Sequence, residues 1–291
     1  MRMHNADETC GVARAATVLG DWWNVLVLRE IARGHVRFDA LAAGIGLSRN
    51  VLTERLGRLV AAGVLRRSLY QRRPVRYEYL LTDAGAALVP VLVAMQEWGD
   101  RWVLGEGSVT PHVAEGSAEA ERVRGLVGAP LPDGLQLQRE QGVYVSVVPE
   151  PGAVAVLFTF PGVSDCLGEP PVPAADDAET LHRLFREAWP EFRDAGVAVT
   201  GVSTQLVREQ REFARAERLP YPVLSDADHR LAAALRLPTF PAAGRLRHKG
   251  VLLVVDAERV VRHVLLPGED PAASVAEALR LARETGRTPV A

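Results

Sequence analysis

The chain has little cysteine and almost no lysine, and what is missing narrows the field. Two cysteines in 291 residues, Cys10 and Cys166, exclude a disulfide scaffold and a zinc site built from thiolates. Lys249 is the single lysine; every other cation is arginine, a bias that fits a GC-rich genome and is given no functional weight. The first ten residues are polar and lack the apolar stretch of a secretion signal. No apolar run reaches the roughly 18 residues that span a bilayer. Histidines 4, 35, 112, 182, 229, 248 and 263 show no metal-ligand spacing, and no glycine-rich phosphate loop is present. Ser164 and His182 form no recognisable hydrolase constellation. What is present is 48% hydrophobic and 24% charged residues, enough to build cores and too apolar for disorder. At about 100–200 residues per domain the length implies two domains. The expectation is a cytoplasmic two-domain protein with no membrane partner, no metal and no cofactor.

A net charge of −2 hides an asymmetry. Through residue 104 there are 14 arginines against 10 acids, a net of +4; the remainder carries −6. From Arg49 to Arg76 eight arginines (49, 55, 58, 66, 67, 72, 73, 76) face one acid, Glu54. A net of +7 within 28 residues of a near-neutral chain is a local field that attracts polyanions.

The spacing supplies a shape for that field. Val25, Leu26, Leu28 and Ile31 recur at helical intervals between Asp21 and Gly34. Phe38, Leu41 and Ile45 mark a short helix, and Gly44 and Gly46 a turn. Ser48 then caps a helix to about Ala62, with Leu52, Leu56 and Leu59 on one face and Asn50, Glu54 and Arg58 on the other. Helix, tight turn and a second helix with a polar, basic outer face is the layout of a helix-turn-helix, whose second helix enters the major groove. Strands at 64–67 and 75–80 flank Gln71–Arg72–Arg73–Pro74, a β-wing with an arginine tip suited to phosphates or a narrow minor groove. Thr82 caps a long helix to about Leu104, kinked at Pro90. Its apolar stripe Leu88, Leu92, Met95, Trp98 and Trp102, widened by Val89 and Val91, is broader than a small core needs and is assigned to a homodimer interface.

The first ~104 residues resemble the HxlR family of winged-helix transcription regulators. The resemblance rests on Cys10, Gly20–Asp21–Trp22–Trp23, Leu26 to Glu30, and Arg37–Phe38–Asp39–Ala40–Leu41. It continues through Leu47–Ser48–Arg49–Asn50–Val51–Leu52–Thr53, Leu56–Gly57–Arg58–Leu59, Gly63–Val64–Leu65, Arg76 to Thr82, and Glu97–Trp98–Gly99. It implies a homodimer on an inverted-repeat operator in double-stranded DNA, often as a repressor. Arg37, Ser48, Arg49, Asn50, Thr53, Arg55, Arg58, Arg72, Arg73 and Arg76 are the DNA-contacting candidates. Base reading falls to Ser48, Arg49, Asn50, Thr53 and Arg58.

Residues 105–124 read as a linker with some helical content, because Gly, Ser, Ala and acids dominate. Beyond it, β-rich runs and helical runs alternate. Expected strands lie at 142–148, 153–160, 197–203, 221–224, 251–255 and 260–266, and expected helices at 181–195, 205–218, 228–235 and 271–285. This pattern gives an α/β domain with a central sheet. Residues 125–291 resemble the thioredoxin-like fold in its peroxiredoxin branch. The matching residues are Val127 to Pro132, Val156 to Pro161, Gly201 to Gln205, Leu219 to Asp226, and Leu237–Pro238–Thr239–Phe240. The fold class expected is therefore an α+β winged helix-turn-helix domain (1–104) followed by an α/β thioredoxin-like, peroxiredoxin-type domain (125–291).

The resemblance also implies where a peroxidatic thiol would stand, and the sequence departs from it. Pro161 is only five residues before Cys166, and Val163 occupies the position of the usual Thr or Ser. Aligning backwards from Phe185–Arg186–Glu187 puts the thiol position on Ala178 and a second one on Arg183, and the expected arginine on Gly250, beside Lys249. Catalysis is therefore not expected, and the domain reads as a sensor or ligand-binding module for a small molecule or an oxidant. Its pocket candidates are Phe160, Cys166 and Phe240. Cys10 precedes the first helix, where a helix amino terminus favours a thiolate, and it is a redox candidate together with Cys166. The alternative reading is a thiol peroxidase or reductase with Cys166 as nucleophile, tethered to a DNA-binding module.

Overall fold

A computed structural model of the chain describes residues 9–148, 152–163, 175–268 and 270–287. The chain forms two compact units, Met1–Leu92 and Val93–Ala291, each of which follows from its own apolar pattern.

In the first unit, α1 (Gly11–Leu19) follows Cys10. Asp21 caps α2 (Trp22–Ala32) by accepting from the Trp23 amide at 3.0 Å. The helix α3 (Phe38–Ile45) ends at Gly46, whose φ of +73° is left-handed backbone that glycine adopts without strain. Ser48 then caps α4 (Arg49–Ala61) through the Val51 amide. Leu52, Leu56 and Leu59 of α4 are buried against Val27, Leu28, Ile31 and Leu41, so the i, i+4, i+7 spacing becomes the core. Strands β1 (Leu65–Arg72) and β2 (Val75–Leu81) pair antiparallel with Arg72 opposite Val75, which puts Arg73–Pro74 at the tip.

The single kinked helix expected from Thr82 onward is two helices. Thr82 caps α5 (Asp83–Ala86), and α6 (Val89–Trp102) starts anew. Pro90 is the cause: without an N–H, it sits at a helix start, where the amide has no intrahelical partner, rather than inside a helix. The close approach at Gly85 is equally specific, because a Cβ there would lie 2.2 Å from the Val64 carbonyl oxygen.

The stretch 105–124, read from sequence as a linker, carries α7 (Ala118–Arg124), and Val113, Ala120 and Val123 belong to a core of the second unit. Beyond it run β3 (Gln136–Arg139), β4 (Tyr144–Ser146), β5 (Ala155–Thr159), α8 (Ala175–Asp194) and β6 (Ala198–Ser203). Next come α9 (Val207–Ala216), β7 (Val223–Ser225), α10 (Arg230–Leu235), β8 (Thr239–Ala242), β9 (Arg245–His248), β10 (Val251–Val255), β11 (Val261–Leu265) and α11 (Pro271–Arg287). Among the described residues a seven-stranded sheet has the order β11-β10-β5-β6-β7-β3-β4, and β8 and β9 make a separate hairpin. The central strands β5, β6 and β7 are parallel, and β10 pairs antiparallel with β5.

Every residue of β5 is buried, as a strand covered on both faces requires. Val156 and Phe158 face a core with Phe185 and Phe192 of α8 and Leu279 of α11. Ala155 and Leu157 face the other, with Ala120 of α7 and Leu231 of α10. The strand period of two sorts one sequence into two cores. Among the described residues no helix is long and apolar enough to cross a membrane.

Candidate functional site

The first unit gathers most of the expected DNA-contacting residues at its surface. Ser48, Arg49, Asn50, Thr53 and Arg58 are exposed on α4, and Arg72, Arg73 and Arg76 on the wing. The exposed arginines are partly occupied by acids. Arg49 donates to Asp39 at 3.0 Å and stacks over the Phe38 ring. Arg37 donates to Glu78 at 3.0 Å and lies over Tyr70. Arg58 pairs with Glu54 one turn away. Arg55 departs from the expectation: its side chain is only 15% exposed and is ion-paired to Asp21 at 2.8 Å. Asp21, the cap of α2, holds the Arg55 guanidinium inward, so Arg55 braces α2 against α4. Sequence reasoning passed over Asp39 and Glu78 because their arginine partners lie up to 41 residues away and local charge counting does not see them.

The stripe assigned to self-association divides. Leu92 is buried and Leu88 packs against the first unit's core, whereas Met95, Trp98 and Trp102 are 47%, 59% and 66% exposed. Cys10 is exposed, and its side chain caps no amide.

In the second unit a cleft of about 710 Å³ opens beside the carboxyl end of β5. Phe160, Leu181, Val113 and Pro267 line it, and His112 Nε2 lies 3.1 Å from Asp177 Oδ2 within the same lining. Ala178 and Gly250 both border this cleft, so the fold brings together the two positions that the resemblance assigned to a thiol and an arginine. Of the expected pocket residues, Phe160 lines the cleft. Phe240 does not, because the β8–β9 hairpin buries its side chain elsewhere. Cys166 lies outside the described residues. Lys249, next to Gly250, is wholly buried; its Nζ donates to Glu119 Oε2 at 2.7 Å and to Ser108 Oγ at 3.0 Å. Burial pulls its pKa below the ordinary lysine value against the opposing effect of Glu119.

Behind Phe160 stands His182, which the sequence places in no catalytic or metal constellation. Its ring packs edge-on to Phe158, Phe160 and Phe213 and is 1% exposed. The Tyr221 hydroxyl donates to the His182 carbonyl at 3.0 Å, so its oxygen accepts from Nδ1, 3.1 Å away. Burial, with Arg186 nearby, lowers the His182 pKa from 6.5 to about 3. The unfolded chain then binds a proton that the folded one refuses between those values, so stability is full above pH 6.5 and declines as pH falls towards 3. The slope of stability against pH in that window is expected to be steeper, by up to about 1.4 kcal/mol per unit, than in His182→Leu. Equal slopes in urea unfolding at stepped pH would refute the assignment.

Comparison with known proteins follows the same division. Residues 18–106 match the HxlR-like helix-turn-helix family. An uncharacterized HTH-type transcriptional regulator of Bacillus subtilis, YvaP, is 37% identical over 101 residues, covering 34% of this chain and 94% of that protein. The chain belongs to the HxlR-like helix-turn-helix family. An uncharacterized HTH-type transcriptional regulator of Mycobacterium tuberculosis is 40% identical over 92 residues, or 32% of this chain. The match spans 58% of that relative's length. This HxlR-like chain also matches the AhpC/TSA family, over residues 173–264. Among solved structures, the peroxidoxin BcpB of M. tuberculosis is 27% identical at a TM-score of 0.44, covering 52% of this chain and 92% of that one.

Proposed function

We propose that this HxlR-like protein is a DNA-binding transcription regulator that sits on an inverted-repeat operator as a homodimer, acting as a repressor. The observation that carries the reading is the exposed outer face of α4, with Ser48, Arg49, Asn50 and Thr53 beside an arginine-tipped wing. Asn is suited to paired hydrogen bonds with adenine, and Arg to guanine. The exposed Met95, Trp98 and Trp102 supply the self-association surface. The peroxiredoxin-like unit is a non-catalytic sensor. Its effector is a small molecule held in the cleft beside Ala178, or an oxidant acting on Cys10 or Cys166.

Selection of duplexes from a random pool by the full chain should return two related half-sites in inverted order. Asn50→Ala should lose preference at one base pair per half-site while keeping its affinity for unrelated DNA. Failure to enrich any duplex would refute the reading. The AhpC/TSA match favours one further reading, a thiol peroxidase or reductase with Cys166 as nucleophile. Peroxide consumption with a thiol reductant, abolished in Cys166→Ser, would establish it and displace the non-catalytic reading.

A further inference from the structure

Several arginines of the DNA-facing surface, Arg37, Arg49 and Arg58 among them, are held by acids in the unbound protein, and one carboxylate reaches two of the set. Asp39 lies in the first turn of α3, where the helix dipole favours a negative group. Its Oδ1 accepts from Arg49 at 3.0 Å, and its Oδ2 lies 3.9 Å from the Arg76 guanidinium. Arg49 opens α4, and Arg76 belongs to wing strand β2. The side chains are 65% (Asp39), 73% (Arg49) and 50% (Arg76) exposed, so water reaches all three. The neighbouring acid Glu78 differs: it is 24% exposed, and its backbone bridges to Arg37. Glu78 therefore holds the wing to α3, whereas Asp39 stands in the open between the start of the reading helix and the wing.

We propose that Asp39 determines specificity by competing with DNA phosphate for Arg49 and Arg76, a reading that rests on the DNA-binding function proposed above. Exposed ion pairs of this kind add little to stability, so phosphate displaces the carboxylate readily. The displaced charge still remains beside the DNA backbone and repels it. On unrelated sequence nearly all affinity is electrostatic, so that repulsion is felt in full. On the operator part of the affinity is base contact, and there Asp39 has a second effect. With the Phe38 ring it holds the Arg49 guanidinium in one orientation, 4.8 Å above the ring centroid, ready for a paired contact with a base edge. The carboxylate thus weakens the wrong complex more than the right one.

The test uses the full chain with two duplexes, one carrying the sequence enriched by the wild-type protein and one a shuffled sequence of the same composition. Asp39→Asn should bind the shuffled duplex about three- to tenfold tighter at low salt, with a salt slope steeper by about 1 per subunit. Its affinity for the enriched duplex should change less, so the ratio of the two falls. Asp39→Glu should behave as wild type, and the thermal midpoints of all three should agree. Unchanged affinity and slope on the shuffled duplex would overturn the proposal. So would a parallel loss on both duplexes, which would make Asp39 a mere brace of the wing. If the wild type enriches no duplex, the DNA-binding reading itself fails. That outcome is distinct from a wild type that binds and an Asp39→Asn that matches it.

Discussion

Glu119→Leu is expected to destabilise the second unit by about 3–5 kcal/mol, because it leaves the Lys249 ammonium buried without its counter-charge. The remaining partner, Ser108 Oγ at 3.0 Å, is neutral. Deprotonation limits the damage. Holding Lys249 as a neutral amine at pH 7, against an ordinary pKa of 10.5, costs about 5 kcal/mol at most. That ceiling fixes the pH dependence. With the folded pKa depressed further, the unfolded chain binds the extra proton, so the variant should regain stability as pH rises towards 10.5. The double variant Glu119→Leu with Lys249→Met replaces the pair by apolar groups and should recover most of the loss. Urea unfolding followed by tryptophan fluorescence together with far-UV circular dichroism measures all three proteins. A loss under about 1 kcal/mol in Glu119→Leu would contradict the burial argument.

Arg72→Ala with Arg73→Ala is expected to have the largest effect on DNA binding, because it removes two exposed charges from the wing tip, where phosphate contacts are proposed. Each phosphate contact removed flattens the dependence of log affinity on log salt by about 1, so the pair should lose about 2 per bound subunit. At low salt the affinity should fall by about 10- to 100-fold, equally on enriched and shuffled duplexes, because phosphate contacts carry no base information. This pattern is the inverse of that expected for Asn50→Ala. Unchanged affinity and slope would remove the wing from the interface. A loss confined to the enriched duplex would make the tip a base reader in the minor groove instead.

The first unit was legible wherever one helix or one hairpin decided the outcome. Ser48, the leucines of α4 and the turn at Gly46 are local features, and local spacing expresses them. Arg55 was not legible: whether a side chain on a helix flank turns outward depends on Asp21, 34 positions away, which holds it inward. The break between α5 and α6 was half legible, since Pro90 announces a disturbance but not whether a helix bends or restarts. In the second unit the buried strands β5, β6 and β10 declare themselves through Val and Leu. The hairpin β8–β9 does not, because Arg245, Arg247 and His248 give its second strand no apolar pattern. Arg247 and His248 are buried only because polar partners exist, among them Asp226 for His248 at 2.9 Å. The stretch holding helix α7 reads as a linker with some helical content because of its small residues and acids, yet one of those acids, Glu119, is the partner of Lys249. Charge is a poor guide to exposure when its counter-charge is distant in sequence.

The burial of Lys249 has a consequence for handling the protein. It is the chain's only side-chain amine, and Glu119 and Ser108 enclose it. Amine-directed acylation or formaldehyde cross-linking therefore finds no lysine target on the folded surface. Modification of Lys249 must wait until its surroundings open. The rate of its acylation becomes an intrinsic clock for opening events in the second unit, readable by mass at a single position without an introduced label.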